Sequence, residues 1–283
     1  MDVAKEFQSP KRKLARGREH VANLEAEIPN FLKNAKIERI IEPLTPAYGG
    51  LYQRWLGGYE MQCRENGVAP DAANEPVFVH KIRVHPADLD RLELLAADAI
   101  QNIRQALDHA ACSCARSVGK TDKGTYFPLV SNPDQLEERI KDQARKLPKS
   151  IKDLIRRAEP GGGLLYELHA LGGGDKHRLT CSFSHHAWSM PQFLHASADG
   201  WIGAGFGPDE WDPANNEVRF ALTGSPNELD YKFEFGVEIR LNANGIIASK
   251  PAIPALYEIA DTVDSIIREM ETETARLVST GPG

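Results

Sequence analysis

The sequence predicts an α+β fold, a single domain in which helical segments are segregated from strands. Three observations predict it. Apolar residues recur at helical spacing over long stretches, short β-branched and aromatic runs lie between them, and single strands do not alternate with single helices as a doubly wound sheet requires. The helical core falls at about 9–34, 86–171 and 253–278, and the β-rich portion at about 36–84 and 179–241.

Behind the basic opening Lys11, Arg12 and Lys13, the residues Leu14, Val21, Leu24, Ile28, Phe31 and Leu32 mark a first helix. Ser9 followed by Pro10 suits its N-cap and first turn, and Pro29 is expected to kink or break it. From 36 to 84 the texture changes to strand-like runs at 37–44 and 77–84, separated by segments rich in Gly, Pro and Asn. A long helix over about 86–118 follows, with Leu89, Leu92, Ala96, Ala99, Ile103, Ala106 and Ala110 at a and d positions. This narrow seam of small side chains admits another helix closely, the first or the last. Residues 133–157 read as two short helices broken at Pro148, and 164–171 as a short helix bracketed by Gly triplets. Runs at 179–184, 193–197, 218–223 and 231–241 predict antiparallel strands, with a turn at 242–245. A final helix over about 253–278 carries Leu256, Ile259, Val263, Ile266, Ile267 and Met270 on one face.

The 283 residues are 41% apolar, enough for a real core. No run of about 18 apolar residues is present to span a bilayer, and the charged start lacks an apolar stretch behind it, so a cytoplasmic protein without membrane partners is expected. Cys63, Cys112, Cys114 and Cys181 are too scattered for a disulfide framework and are expected as thiols. Cys112 and Cys114 would point about 200° apart on a helix, poor geometry for sharing a metal. A net charge of -6 argues against attraction of the whole molecule to nucleic acid. Locally, 139–157 holds eight bases against two acids, a cationic patch or a solvated helix face.

The central constellation lies on the long helix. In the frame that puts Ile103 at a, Asn102, His109 and Arg116 share g positions, and Gln105 joins that stripe four residues before His109. Such a polar stripe beside an apolar seam lines a cleft or a subunit interface. Arg104 lies about 140° around the helix from His109, so its side chain must wrap to share a ligand with the histidine. Its spacing to Asp108 equally suits a helix-surface ion pair, and His109 equally suits a core-edge histidine bonded to a carbonyl.

The fragment from Arg104 to His109 resembles the Arg-x4-6-His motif of the HEPN superfamily. These are helical proteins whose active members are metal-independent ribonucleases and whose inactive members are binding modules. The resemblance implies His109 as proton donor and acceptor at an RNA 2′-hydroxyl or leaving oxygen and Arg104 as the cation facing the phosphorane, with Gln105 assisting. It also implies a homodimer in which two such helices form one cleft, with no metal or cofactor. The ordered set of Arg104 to His109, Phe127-Pro128 and Asp175-Lys176-His177-Arg178 is likewise similar to a group of uncharacterised bacterial proteins.

Asp175, Lys176, His177 and Arg178 follow a Gly triplet, where they either contact a ligand phosphate or form a solvated strand-entry turn. His177, Cys181 and His185 face one side of a regular strand, but ligands four apart are about 13 Å from each other, too far to share one zinc. Gly119-Lys120-Thr121 follows a helix rather than opening one, and so is not a phosphate loop. The HEPN resemblance therefore implies a metal-independent RNA endonuclease, in a toxin or defence context. The alternatives are a non-catalytic module for a nucleotide, nucleic acid or protein partner, and a metal-dependent hydrolase using His109, Asp175, His177 and His185.

Overall fold

The fold is α+β. The computed structural model describes residues 2–34, 36–69, 77–85, 90–173, 181–187, 192–195, 202–204, 211–212, 215–224, 226, 230–232, 235–241, 245–248 and 250–280. The elements in chain order are α1 (Val3–Glu6), α2 (Gln8–Asn34), β1 (Lys36–Pro43), α3 (Gly50–Glu65), β2 (Phe78–His85), α4 (Asp90–Ser117), α5 (Leu136–Gln143), α6 (Lys149–Arg157) and α7 (Gly163–Gly173). They continue as β3 (Cys181–Ala187), β4 (Gln192–His195), β5 (Ile202–Ala204), β6 (Trp211–Asp212), β7 (Glu217–Thr223), β8 (Asp230–Lys232), β9 (Phe235–Leu241) and α8 (Ala252–Thr280). Residues 1–31, 88–183 and 238–283 form one compact unit, and 32–87 with 184–237 a second. Among the described residues no helix is long and apolar enough to cross a membrane.

The first unit is built around α4. Leu92, Ala96, Ala99, Ile103, Ala106 and Ala110 are buried as the seam requires, and Ile100, Leu107, Ala111 and Cys114 widen the buried face beyond it. α8 packs along α4, burying Leu256, Ile259, Val263, Ile267 and Met270. On another side α2 approaches so closely that a Cβ at Gly17 would lie 2.7 Å from Ile103 Cγ1 and 3.3 Å from the Ala99 carbonyl. Small side chains thus let two backbones meet, and dispersion contacts replace the bulk they lack. Ser9 is not an N-cap: α2 begins at Gln8, directly behind α1, and the helix continues through Pro29 to Asn34. The polypeptide accepts Pro29 in the helix at the cost of one backbone donor.

In the second unit β1 pairs antiparallel with β2, and β2 with β7, which also carries β5 and β6. The register sets Lys81 beside Arg219 and Arg83 beside Glu217, so one face of this sheet is charged. Lys81 Nζ lies 2.8 Å from Glu42 and 2.9 Å from Glu217, with the Tyr48 ring centre 5.6 Å away. Burial works to raise the Glu217 carboxyl, but hydrogen bonds from Lys81 and Arg83 outweigh it and hold its pKa below the usual range. These charges are mutually compensated, which accounts for a buried lysine without a ligand. α3, in a stretch the sequence marks as Gly-rich connection, is a helix carrying a Tyr52, Trp55 and Tyr59 aromatic cluster, with Trp55 and Tyr59 stacked at 5.6 Å.

Candidate functional site

Helix α4 sends its motif side chains to three different segments. Arg104 Nη1 donates to the Gly172 carbonyl at 2.8 Å, and Gln101 Nε2 donates to the same oxygen at 3.2 Å. That oxygen belongs to the last turn of α7, where carbonyls lack helical partners and carry the negative end of the helix dipole. Gly172 permits the approach, since a Cβ there would meet Arg104 Cδ at 3.1 Å. One turn along, Asp108 Oδ1 accepts the Phe127 backbone N–H at 3.0 Å. Burial pushes the Asp108 carboxyl pKa up, opposed by that N–H and by the charge of Arg104.

His109 turns towards the N-terminal helices, with Nδ1 2.8 Å from Ser9 Oγ. Gln105 Oε1 accepts from Lys13 Nζ at 2.8 Å, Ser113 Oγ donates to the Glu6 carbonyl at 2.9 Å, and Arg116 Nε donates to Glu6 Oε2 at 2.7 Å. The polar stripe is therefore an intramolecular zipper against α1 and α2, its partners running backwards from Lys13 to Glu6 as α4 runs forwards. Burial, then the charges of Lys13 and Arg116, hold the His109 pKa below its usual value. Asn102 bonds its own helix, donating to the Asp98 carbonyl at 2.8 Å.

Arg104 and His109 thus engage separate partners, the C-terminal turn of α7 and the start of α2, and the chain does not join them at one acceptor. Asp175, Lys176, His177 and Arg178 lie outside the described residues, as do the side chains of Cys181 and His185. No group of three metal-ligating side chains converges among the described residues. Cys112 donates to the Thr125 carbonyl, and Cys114 is a buried thiol whose pKa burial pushes up to about 12.

In the basic segment, Arg156 bonds Glu137 and Asp153, each at 2.6 Å, and Lys152 donates to the Arg145 carbonyl at 3.0 Å. Arg139, Lys141, Arg145, Lys149 and Arg157 remain exposed. Arg157 lies at a groove of about 520 Å³ between α6 and α8, whose lining mixes Arg268 with Asp153, Glu269 and Glu273. Glu273 is held at a pKa of about 2, chiefly by its hydrogen bonds from Arg276 and Ser150.

Two residues on α7 escaped the sequence reading. Glu167 is buried, and its Oε1 accepts the Ile246 N–H at 2.8 Å. His169 has a buried Nδ1 with no hydrogen-bond partner among the described residues. Burial, then Arg104 and Arg139, depress its pKa. The available signal was two ionisable residues inside the otherwise apolar run 164–171, where each needs a specific partner. No family model, curated protein or solved structure matches this chain.

Proposed function

We propose that the chain is a non-catalytic binding module for a phosphate-bearing ligand, with RNA as its macromolecular form. The observation that carries the reading is the divergence of Arg104 and His109. A general base and a phosphorane-facing cation must reach one reacting phosphate, and here each side chain is spent on holding a different segment of the fold. The ligand class follows from the exposed cations Arg139, Lys141, Arg145, Lys149 and Arg157, which stand out against a net charge of -6. RNA binding by fluorescence anisotropy tests it. The wild type binds without cleaving, and changing Lys141, Arg145 and Lys149 together to Gln lowers the salt dependence by about 2 in the log–log slope, at about 0.7 per lost phosphate contact. Absence of binding at low salt, or an unchanged slope in the variant, overturns the reading.

A second reading, the metal-independent ribonuclease of HEPN-like type, draws on one observation. Burial, then the charges of Lys13 and Arg116, lower the His109 pKa, which favours the neutral imidazole a general base needs. It requires a second copy of the chain to complete the cleft, and it stands or falls on His109-dependent RNA cleavage in EDTA.

A further inference from the structure

Tyr126 is an exposed aromatic on a segment whose backbone donors are all bonded. Burial alternates along the chain there: Thr125 is 1% exposed, Tyr126 52% and Phe127 3%. The Thr125 N–H donates to the Asp122 carbonyl at 2.9 Å, the Tyr126 N–H to the Gln143 carbonyl at 3.0 Å and the Phe127 N–H to Asp108 Oδ1 at 3.0 Å. Cys112 Sγ donates to the Thr125 carbonyl at 3.2 Å. Buried neighbours and these bonds hold the backbone on either side of Tyr126, and its own side chain is the one left to solvent.

The bond to Gln143 sets this residue against the basic segment. It joins 121–126 to the last residue of α5, and Lys146 Nζ ties the two stretches again by donating to the Lys123 carbonyl. Together 121–126 and 141–146 carry Lys123, Lys141, Arg145 and Lys146 against Asp122 and Asp142, and Asp122 is bonded to Arg116 at 2.6 Å. Lys123, Lys141 and Arg145 are exposed. Lys146 has three N–H donors and spends one on the Lys123 carbonyl. Single exposed aromatics are common on protein surfaces and call for no ligand. This one is set apart by its fixed backbone and by the cations on both stretches that its N–H bond joins.

A surface for single-stranded nucleic acid needs those two parts, cations that neutralise phosphates and an aromatic face that takes an unpaired base. In a duplex the base faces are covered by their neighbours, so a lone ring has nothing to stack on. A backbone fixed before the ligand arrives lowers the ordering cost of the contact. We infer that Tyr126 is a stacking residue for an unpaired base of single-stranded RNA, whose phosphates lie along Lys123, Lys141, Arg145 and Lys146. The inference rests on the RNA-binding reading and names the form of RNA that the surface takes.

The test is fluorescence anisotropy of the full chain with a labelled single-stranded RNA of about 12 nucleotides, and with the same strand in a duplex, over a series of salt concentrations. Wild type is compared with Tyr126→Ala and with Tyr126→Phe, which keeps the ring. Stacking predicts single-strand binding at least about fivefold weaker in Tyr126→Ala with its log–log salt slope unchanged, and within about twofold of wild type in Tyr126→Phe. Duplex binding is predicted to be equal in all three. Equal single-strand affinity in wild type and Tyr126→Ala overturns the inference while leaving the cationic surface standing. A loss in Tyr126→Phe as large as in Tyr126→Ala overturns stacking, since the hydroxyl would then carry the contact. An equal loss on the duplex overturns the single-strand assignment. A wild type that binds no RNA at low salt overturns the binding-module reading and this inference together.

Discussion

His109 Nδ1 lies 2.8 Å from Ser9 Oγ, and this bond joins the middle of α4 to the start of α2 across 100 residues of sequence. It is the centre of a row in which Gln105, His109, Ser113 and Arg116 reach Lys13, Ser9 and Glu6 in antiparallel order. Ser9→Ala is expected to lower stability by about 1 kcal/mol, the net worth of one hydrogen bond, with a further cost for the half-buried imidazole left unpaired. Urea unfolding followed by circular dichroism measures it, and an unchanged midpoint would show the pair to be ornamental.

Arg104 closes the last turn of α7. Arg104→Ala is expected to cost about 1.5–3 kcal/mol, the range for a hydrogen bond to a charged group, and to loosen the end of α7 before the rest of the fold. Hydrogen exchange over 163–173 is predicted to accelerate selectively in this variant. Uniform acceleration over α4 and α8 as well would assign the residue to global packing.

The Gly17 contact predicts strain on enlargement. A Cβ there meets Ile103 Cγ1 at 2.7 Å and the Ala99 carbonyl at 3.3 Å, and the second partner is backbone. Gly17→Ala gains helix propensity of about 1 kcal/mol but is expected to lose about 1–3 kcal/mol by overpacking, so the net change is neutral to destabilising. A thermal midpoint raised by several degrees would contradict the close approach of α2 and α4.

Stability should fall as the solution is acidified from neutrality. His80, His109 and His169 all have pKa values lowered first by burial; Lys13 and Arg116 add to this at His109, and Arg104 and Arg139 at His169. A histidine whose folded pKa lies below its unfolded value of about 6.5 binds protons more readily when unfolded, so stability is lost as the pH drops below about 6.5. Asp108 works in the opposite direction, because its raised folded pKa favours the acidified folded state. Urea midpoints at two pH values either side of the histidine range test the balance, and His169→Gln should flatten the dependence.

Much of the fold was legible because long helices announce themselves by burial. The seam of α4 and the face of α8 were written in apolar spacing, and the structure buries the residues that spacing selects, save Leu89, which lies outside the described residues. α3 was not legible, since three glycines in its sixteen residues mimic a connection, and aromatic packing of Tyr52, Trp55 and Tyr59 accompanies the helix that propensity does not favour. Ser9 carried the signature of a helix cap, but α1 precedes it and leaves its hydroxyl to His109. At the candidate site, helical angles alone separated Arg104 from His109. What they could not supply was the identity of each partner, because Gly172, Phe127 and Ser9 are distant in sequence. His169 was hidden for the same reason: the burial of its unpartnered ring nitrogen comes from packing that the sequence of α7 does not show.

The most direct test of the central claim is incubation of the folded wild type and His109→Ala with a mixed RNA pool in EDTA, with RNA binding measured on the same samples. The account predicts that the wild type binds RNA and leaves it intact, as does the variant. Cleavage by the wild type that disappears in folded His109→Ala would contradict it and establish His109 as a catalytic base.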